Sequence, residues 1–292
     1  MNATRALSAV FLVLSATIPP IAHGQEPPPA QAAAQQAVVR VNSEIGIAVS
    51  GLFQNYQESF ADPRSYDSEA GGTPGFAIKA TAMFNAAGID HLYAGLHYSF
   101  NNGNVAYDGD SIGSFRPIHM SVGEQINDVN VEFGKGFLIT PRLLLLPVVQ
   151  MDYRDWLRTV PNGFSPQEDY SYVAPGLALR ASYAATDRLV LNGKLGWEYT
   201  ISPTDDAAAN PGLGVPAVTL KLGSRSVWQV TAGADYALTD RVHLFGEVQY
   251  QHLDFGRSPV SFYQTSGGTA GVYEPTGRTD DVLLQLGLAY AF

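Results

Sequence analysis

The sequence predicts an all-β chain: an antiparallel up-and-down transmembrane β-barrel of ten strands. Three observations predict it. The last ten residues alternate between an apolar side and a small or polar side, and the chain ends on an aromatic. A hairpin unit recurs along the chain. The links between apolar-alternating runs are short and long in turn. Period two with different chemistry on its two faces marks a strand lying between two media. In lipid, a closed barrel is the sheet that leaves no backbone group unpaired.

The C-terminal strand carries the pattern most clearly. Val282, Leu284, Leu286, Leu288, Tyr290 and Phe292 share one face, and Asp281, Gln285, Gly287, Ala289 and Ala291 share the other. Leu283 alone breaks the alternation. This strand resembles the closing strand of Gram-negative outer-membrane β-barrels, whose terminal Phe and alternate apolar residues form the family's assembly signal. Leu288, Tyr290 and Phe292 match that signal here. The resemblance is one of pattern over about residues 40–292 and selects no subfamily. It implies residence in the cell outer membrane, contact with outer-membrane lipid and lipopolysaccharide, and insertion by the barrel assembly machinery.

The start of the chain agrees. Arg5 precedes an apolar stretch from Leu7 to Ile18, and Ala22-His23-Gly24 supplies small residues at a cleavage point, so residues 1–24 read as a secretory signal peptide. Residues 25–37, rich in Gln, Pro and Ala, read as a flexible lead-in, and 38–292 as the barrel. No other segment offers the roughly 18 apolar residues a spanning helix needs. The absence of cysteine excludes disulfides, zinc–thiolate sites and a thiol nucleophile. With 29 Gly, 15 Tyr and 14 Phe, the composition suits strands wetted by lipid outside and water inside. A formal net charge of -10 argues against nucleic acid as a partner.

The strands are placed at about 43–57, 74–86, 90–101, 116–135, 142–158, 171–185, 188–201, 226–238, 241–256 and 280–292. Eight or twelve would follow if 116–135 or 202–225 were read otherwise. Tyr183-Ala184-Ala185-Thr186-Asp187-Arg188-Leu189 recurs as Tyr236-Ala237-Leu238-Thr239-Asp240-Arg241-Val242, and more loosely as Phe137-Leu138-Ile139-Thr140-Pro141-Arg142-Leu143. Each joins two alternating runs through turn chemistry, with Asp capping its own backbone or Pro presetting the turn. The long links at 58–73, 102–115, 159–170, 202–225 and 257–279 read as external loops, opposite short periplasmic turns. Pro147 and Pro175 fall inside strands and suggest bulges or strand ends. The apolar parity slips between Val122 and Val129, and a bulge near Asn127 would repair it.

Parity also assigns the faces. Leu189, Leu191, Leu195, Trp197 and Tyr199 point to lipid, as do Trp228, Val230, Tyr236, Val242, Leu244, Val248 and Tyr250. The inward acids are Glu44, Glu132, Asp152, Glu198, Asp235, Glu247 and Asp281; the inward bases are Lys79, Arg154, Arg180 and Lys194. Two readings stay open for this lumen charge network. It fills a narrow interior with paired charges, or it forms a charged constriction that selects small solutes.

Chemical signatures are sparse. His97-Tyr98-Ser99-Phe100-Asn101 resembles the His-x-Ser-Asn signature of barrel lipid hydrolases, with His97 as base and Ser99 as nucleophile, but Phe100 interrupts it. Omptin proteases are also ten-stranded barrels that activate water with rim Asp pairs and an Asp–His pair. Asp108, Asp110, Asp205 and Asp206 offer the acids, and no Asp-x-His accompanies them. The acids Asp62, Asp67, Glu69, Asp108, Asp110, Asp205 and Asp206 read as solvated polar loops. Gly71-Gly72 and Gly267-Gly268 read as loop punctuation. No metal or cofactor site is read. The expectation is a non-enzymatic barrel, structural or porin-like, with a narrow charged lumen. The alternatives are surface recognition of an extracellular ligand by loop aromatics (Tyr66, Tyr107, Phe164, Phe262, Tyr263, Tyr273) and lipid hydrolysis at His97 and Ser99.

Overall fold

A computed structural model describes residues 29–60, 66–110, 115–161, 167–211, 214–265 and 267–292. The expected signal segment 1–24 lies outside the described residues, as do Asp62 and Phe164. A helix, α1 (Pro29–Arg40), precedes the strands β1 (Glu44–Ser59), β2 (Tyr66–Ala86), β3 (Ile89–Asp110), β4 (Pro117–Lys135), β5 (Phe137–Thr140), β6 (Leu143–Thr159), β7 (Glu168–Ala184) and β8 (Leu189–Tyr199). Then come β9 (Ile201–Ala207), β10 (Val218–Lys221), β11 (Ser226–Ala237), β12 (Val242–Phe255), β13 (Ser261–Thr265), β14 (Gly268–Val272) and β15 (Thr276–Ala291).

Ten of these strands close a ring. β1 pairs with β2 on one side and β15 on the other, and β6 pairs with β7, so the order runs β1-β2-β3-β4-β6-β7-β8-β11-β12-β15 and returns to β1. Every pairing is antiparallel. β5 is the periplasmic continuation of β4. β9 and β10 continue the β8–β11 hairpin at the external end. β13 and β14 form a separate two-stranded ribbon.

The outer surface shows where the membrane lies. Ile45, Ile47, Val49 and Phe53 on β1, Val131 and Phe133 on β4, Leu177 and Leu179 on β7, Leu195 and Trp197 on β8, and Leu284, Leu286 and Leu288 on β15 are all exposed. They form a continuous apolar belt. Beyond it the wall changes character, with Asn55, Gln57, Asn102, Asn104 and Gln125 now facing outward by parity. A membrane needs about 9–11 residues of tilted strand, yet β2 has 21 and β3 has 22. The barrel therefore stands well clear of the bilayer on its external side.

This extension corrects several expectations. Residues 66–73 and 102–110 are strand, and the 202–225 and 257–279 links carry the β9–β10 and β13–β14 hairpins. Gly71 and Gly72 lie within β2, where a Cβ would strike Val105 and Phe53; close cross-strand packing, not loop punctuation, explains them. Asp67, Glu69 and Asp205 are not solvated loop acids. They point into the external lumen, and Glu69 and Asp205 are fully buried. No bulge occurs at Asn127: the β3–β4 register runs unbroken from Leu92↔Lys135 to Asp110↔Pro117. Even-numbered residues of β4 face inward throughout. The apolar parity switches because the barrel inverts above the belt, where the interior becomes apolar and the exterior polar.

Both prolines are accommodated without a bulge. The β6–β7 register passes through Pro147↔Leu179 and Met151↔Pro175 without a shift. The β4–β6 ladder stops at Gly134↔Val148, next to Pro147. The β7–β8 ladder stops at Gly176↔Glu198, next to Pro175, and β7 resumes pairing with β9 at Val173↔Ile201. Each proline sits where a neighbouring ladder is interrupted, so its missing N–H deprives no partner.

The periplasmic turns are built as the repeats suggest, with one refinement. Thr186 Oγ1 accepts from the backbone N of Arg188 and Leu189, and Thr239 Oγ1 does the same for Arg241 and Val242. Thr140 Oγ1 accepts from Arg142 N. The threonine hydroxyl makes the cap, where Asp was expected to. At the β2–β3 turn, Ala87 (φ 52) and Gly88 (φ 76) are both left-handed, as a type I′ two-residue hairpin requires.

The lead-in differs from expectation over residues 29–37, which belong to α1. Pro29 starts the helix with its preset φ, and the alanines that follow are the strongest helix formers. A 12-residue helix is marginal alone. Ala34, Ala37 and Val38, spaced for one helix face, pack against the inward-facing Leu144, Ala184 and Val190. Asn42 Nδ2 donates to Val38 O at 2.7 Å and to Ser182 Oγ at 3.2 Å, fixing the exit from the helix. α1 thus caps the periplasmic mouth.

Candidate functional site in the lumen

The lumen is stacked in layers. Above the cap formed by α1, an apolar cluster of Tyr93, Leu146, Val148 and Ala178 packs inside the β3–β7 side of the ring. Near it, where β1 begins, Lys79 Nζ lies 2.6 Å from Glu44 Oε1. His243 Nδ1 lies 2.8 Å from Asp235 Oδ1 and 3.4 Å from Glu44 Oε2.

The central layer converges on Glu132, which is 1% exposed. Arg180 Nη1 donates to its Oε2 at 2.6 Å, Lys194 Nζ approaches Oε1 at 2.7 Å, and Tyr93 OH donates to Oε2 at 3.2 Å. The Arg180 guanidinium also covers the Tyr93 ring at 5.5 Å. Two bases on one carboxylate meet the general condition for burying charge, that each ion be paired and hydrogen-bonded. Above this triad lies a polar cavity of about 80 Å³, bordered by Asn130, Thr231, Glu247, Gln249 and Gln251. At roughly 10–15 Å³ for each water-sized sphere, it has room for a handful of waters.

In the cavity wall, Asp152 accepts from Asn130 and Gln229, and Gln229 reaches Glu198 at 3.5 Å. Arg154 grips Asp128 through Nε at 2.7 Å and Nη2 at 3.0 Å, and gives Nη1 to Asp281 at 2.6 Å. An apolar and aromatic layer follows. Trp156 stacks on Tyr170 with centroids 4.8 Å apart, and Tyr56 meets Trp156 edge-on at 5.1 Å. Phe255, Tyr172, Leu52, Ile126, Leu253 and Leu283 complete it. Leu283 breaks the C-terminal alternation because it belongs to this inner layer.

The external end is acidic. Arg158 is held by Glu69 and Glu168, with Asp67 at 4.0 Å. Tyr170 OH donates to Glu274 at 2.8 Å. Two of the acids stand clear of the membrane-spanning strands. Burial, with the nearby Glu168 carboxylate, raises Asp205 on β9 to about 8. Burial also lifts Glu274, in the link after β14, well above the usual carboxylate range, helped by Glu168 and Asp205.

All eleven charges expected in the lumen lie inside. Glu44, Lys79 and Asp235 form one group, Glu132, Arg180 and Lys194 a second, Asp152 and Glu198 a third, and Arg154 with Asp281 a fourth. Glu247 lines the cavity. Asp128, Tyr93 and the Arg158 cluster escaped the sequence reading, because which charges meet depends on ring order and strand tilt. His97 and Ser99 both line the cavity. No hydrogen bond joins them: His97 Nε2 has no hydrogen-bond partner and lies 3.9 Å from Glu132.

The acids at the rim are not arranged as a shared cleft. Asp108 and Asp110 face outward by parity. Asp108 pairs with His119 Nδ1 at 2.8 Å and accepts from Tyr66 OH at 2.6 Å, on the exposed outer wall. Asp205 is buried inside. The His119–Asp108 pair joins two strands, so no spacing within the sequence announces it.

No protein-family model matches the chain, and a search of curated proteins finds no significant match. Its fold does have counterparts among solved structures. The outer membrane protease OmpT from Escherichia coli superposes with a TM-score of 0.55 at 13% identity, over 86% of this chain and 97% of that one. The fold is that of a small outer-membrane β-barrel. OprG from Pseudomonas aeruginosa matches with a TM-score of 0.36 at 13% identity, over 86% of this chain and 97% of its own. Ail of Yersinia pestis matches with a TM-score of 0.31 at 10% identity, over 86% and 99%. A closed ring with an apolar belt places this barrel in the outer membrane of a Gram-negative cell. Identity this low extends the likeness to the fold and no further.

Proposed function

We propose that this barrel does not conduct solutes and instead serves as a closed scaffold for recognition at the cell surface. The observation that carries the reading is the stack of side-chain layers across the lumen. α1 covers the periplasmic mouth, the Glu132–Arg180–Lys194 triad occupies the β4–β7–β8 side, the Arg154–Asp281 bond joins opposite walls, and the aromatic layer draws side chains from seven of the ten ring strands. A ten-stranded barrel has room for little more than its own side chains. Of the two lumen readings, the filled interior therefore fits, and porin-like passage does not.

The external end is built to be displayed. Its strands continue above the belt as a rigid wall filled by aromatics. The β13–β14 ribbon projects from it and carries Phe262 at 75% exposure. A large apolar side chain held in that position is a contact residue waiting for a partner.

The test is liposome swelling with the full chain reconstituted. Arabinose-sized sugars are expected to enter no faster than into protein-free liposomes. Size-dependent sugar uptake would overturn the reading. Replacing residues 261–272 by a short Gly-Ser link is expected to leave barrel assembly intact while abolishing attachment of expressing cells to surfaces that bind the parent strain.

A further inference from the structure

We propose that Glu44, Asp235 and His243 form a buried divalent-metal site of the zinc class, which ties β1 to the β11–β12 hairpin. The three side chains come from β1, β11 and β12, and one donor atom of each lies within 4.8 Å of the others. All are buried: Glu44 is 1%, Asp235 2% and His243 1% exposed. His243 Nδ1 approaches Asp235 Oδ1 at 2.8 Å and Glu44 Oε2 at 3.4 Å. Yet Glu44 Oε2, both Asp235 oxygens and both ring nitrogens lack a properly directed hydrogen bond. These atoms converge at ion-pair distance without directed hydrogen bonds, and leaving buried polar groups in that state is costly.

One imidazole nitrogen and two carboxylate oxygens are a donor set that suits zinc, with bonds of about 2.0–2.2 Å and donors roughly 3–3.5 Å apart. The 3.4 Å separation already fits, and the 2.8 Å one needs to open by a few tenths of an ångström. Three protein ligands leave a fourth position for water. Lys79 does not fill the centre. Its Nζ holds the other Glu44 oxygen at 2.6 Å and sits 3.5 Å over the Phe245 ring. It neutralises one carboxylate and orients Glu44, while Asp235 faces the His243 ring.

The place of the site gives the ion a purpose. β1 is paired with the C-terminal strand β15, which is paired in turn with β12. Glu44 on β1 therefore meets Asp235 and His243 across β15 from inside the lumen. An ion there would staple β1 to the β11–β12 hairpin and hold the ring shut on both sides of β15.

The full chain, folded in detergent and stripped with a chelator, is dialysed against micromolar zinc chloride. One zinc per chain is expected, with a raised unfolding temperature. The variants His243→Ala and Glu44→Gln, each checked for the barrel's heat-modifiable gel mobility, are expected to bind at least tenfold more weakly. His119→Ala, on the outer wall, is expected to bind as the parent does. Absence of stoichiometric zinc in the parent chain overturns the proposal whatever the variants do. Equal binding by parent and folded His243→Ala overturns it too, by locating the zinc elsewhere.

Discussion

Arg154 and Asp281 are joined straight across the barrel. Arg154 is on β6 and Asp281 on β15, five strands apart in either direction around the ring of ten. Their 2.6 Å bond therefore crosses the lumen from opposite walls. Strand pairing makes contacts only between neighbours, so this bond opposes deformations of the ring that the sheet alone resists poorly.

Arg154→Ala is expected to destabilise the folded barrel by about 3–5 kcal/mol, because Asp281 is left buried without its cation and Asp128 loses its bidentate partner. Arg154→Met combined with Asp128→Asn and Asp281→Asn is expected to recover most of that loss. Urea unfolding in micelles, followed by tryptophan fluorescence, measures both. A single variant as stable as the parent would show that the bridge does not form.

Trp156→Ala is expected to cost about 3–5 kcal/mol. The ring is 1% exposed and packs on Tyr170 and Tyr56. The loss tests the inversion of the wall above the belt. If Trp156 lay on the outside of the extension, its removal in micelles would be nearly neutral.

The external end is expected to loosen as pH rises. Asp205 holds its proton up to about 8 in the folded chain, against roughly 3.9 when unfolded. The folded state binds more protons than the unfolded state between those values, so stability falls as pH climbs from about 4 to about 8 and levels off above. Glu274 acts in the same direction. Amide exchange in β9 and the external half of β7, corrected for the intrinsic rate, is expected to show weaker protection at pH 8 than at pH 5. Asp205→Asn is expected to reduce the difference. Protection that grows with pH would contradict the burial of these acids.

Ala34→Glu is expected to unseat α1 while leaving the ring intact. Ala34 is fully buried against the periplasmic layer, and a carboxylate there has no partner. Limited proteolysis should then cleave within residues 29–40, with the heat-modifiable barrel band unchanged. Continued resistance to protease would mean that the helix is held by something other than its Ala34–Ala37–Val38 face.

Phe292 is 71% exposed and makes one backbone bond, N to Ser43 O at 3.1 Å. Phe292→Ala is expected to lower the amount assembled in cells several-fold, with little change in the stability of barrel refolded from urea. Equal losses in both measurements would assign the ring a structural role and count against an assembly signal.

Alternation of side chains made the strand count and the lipid-facing set legible. Leu195, Trp197, Val230 and Leu286 each needed only their own neighbours to declare a face. The external extension was hidden because Gly71, Gly72 and Asn101–Asn104 carry the composition of a loop, and the closed ring that holds them as strand is a long-range effect. Reading the change at Asn127 as a bulge assumed that apolar means outward along the whole strand. Val122 and Ile126, both buried inside, show that the rule inverts above the bilayer. Candidate charges could be named from parity, but the partnership of Arg180 with Glu132, or of His243 with Glu44, is set by ring order and tilt. α1 was missed because its three buried side chains are two alanines and a valine, too small a face to stand out beside prolines and glutamines.

Single-channel recording in a planar bilayer tests the closed lumen most directly. The full chain, inserted at high protein density in 1 M KCl, is expected to give a flat baseline with no stepwise conductance, at either polarity. Stable, uniform steps of the size a water-filled pore produces would contradict it, and with it the view that the side chains of this barrel close its own axis.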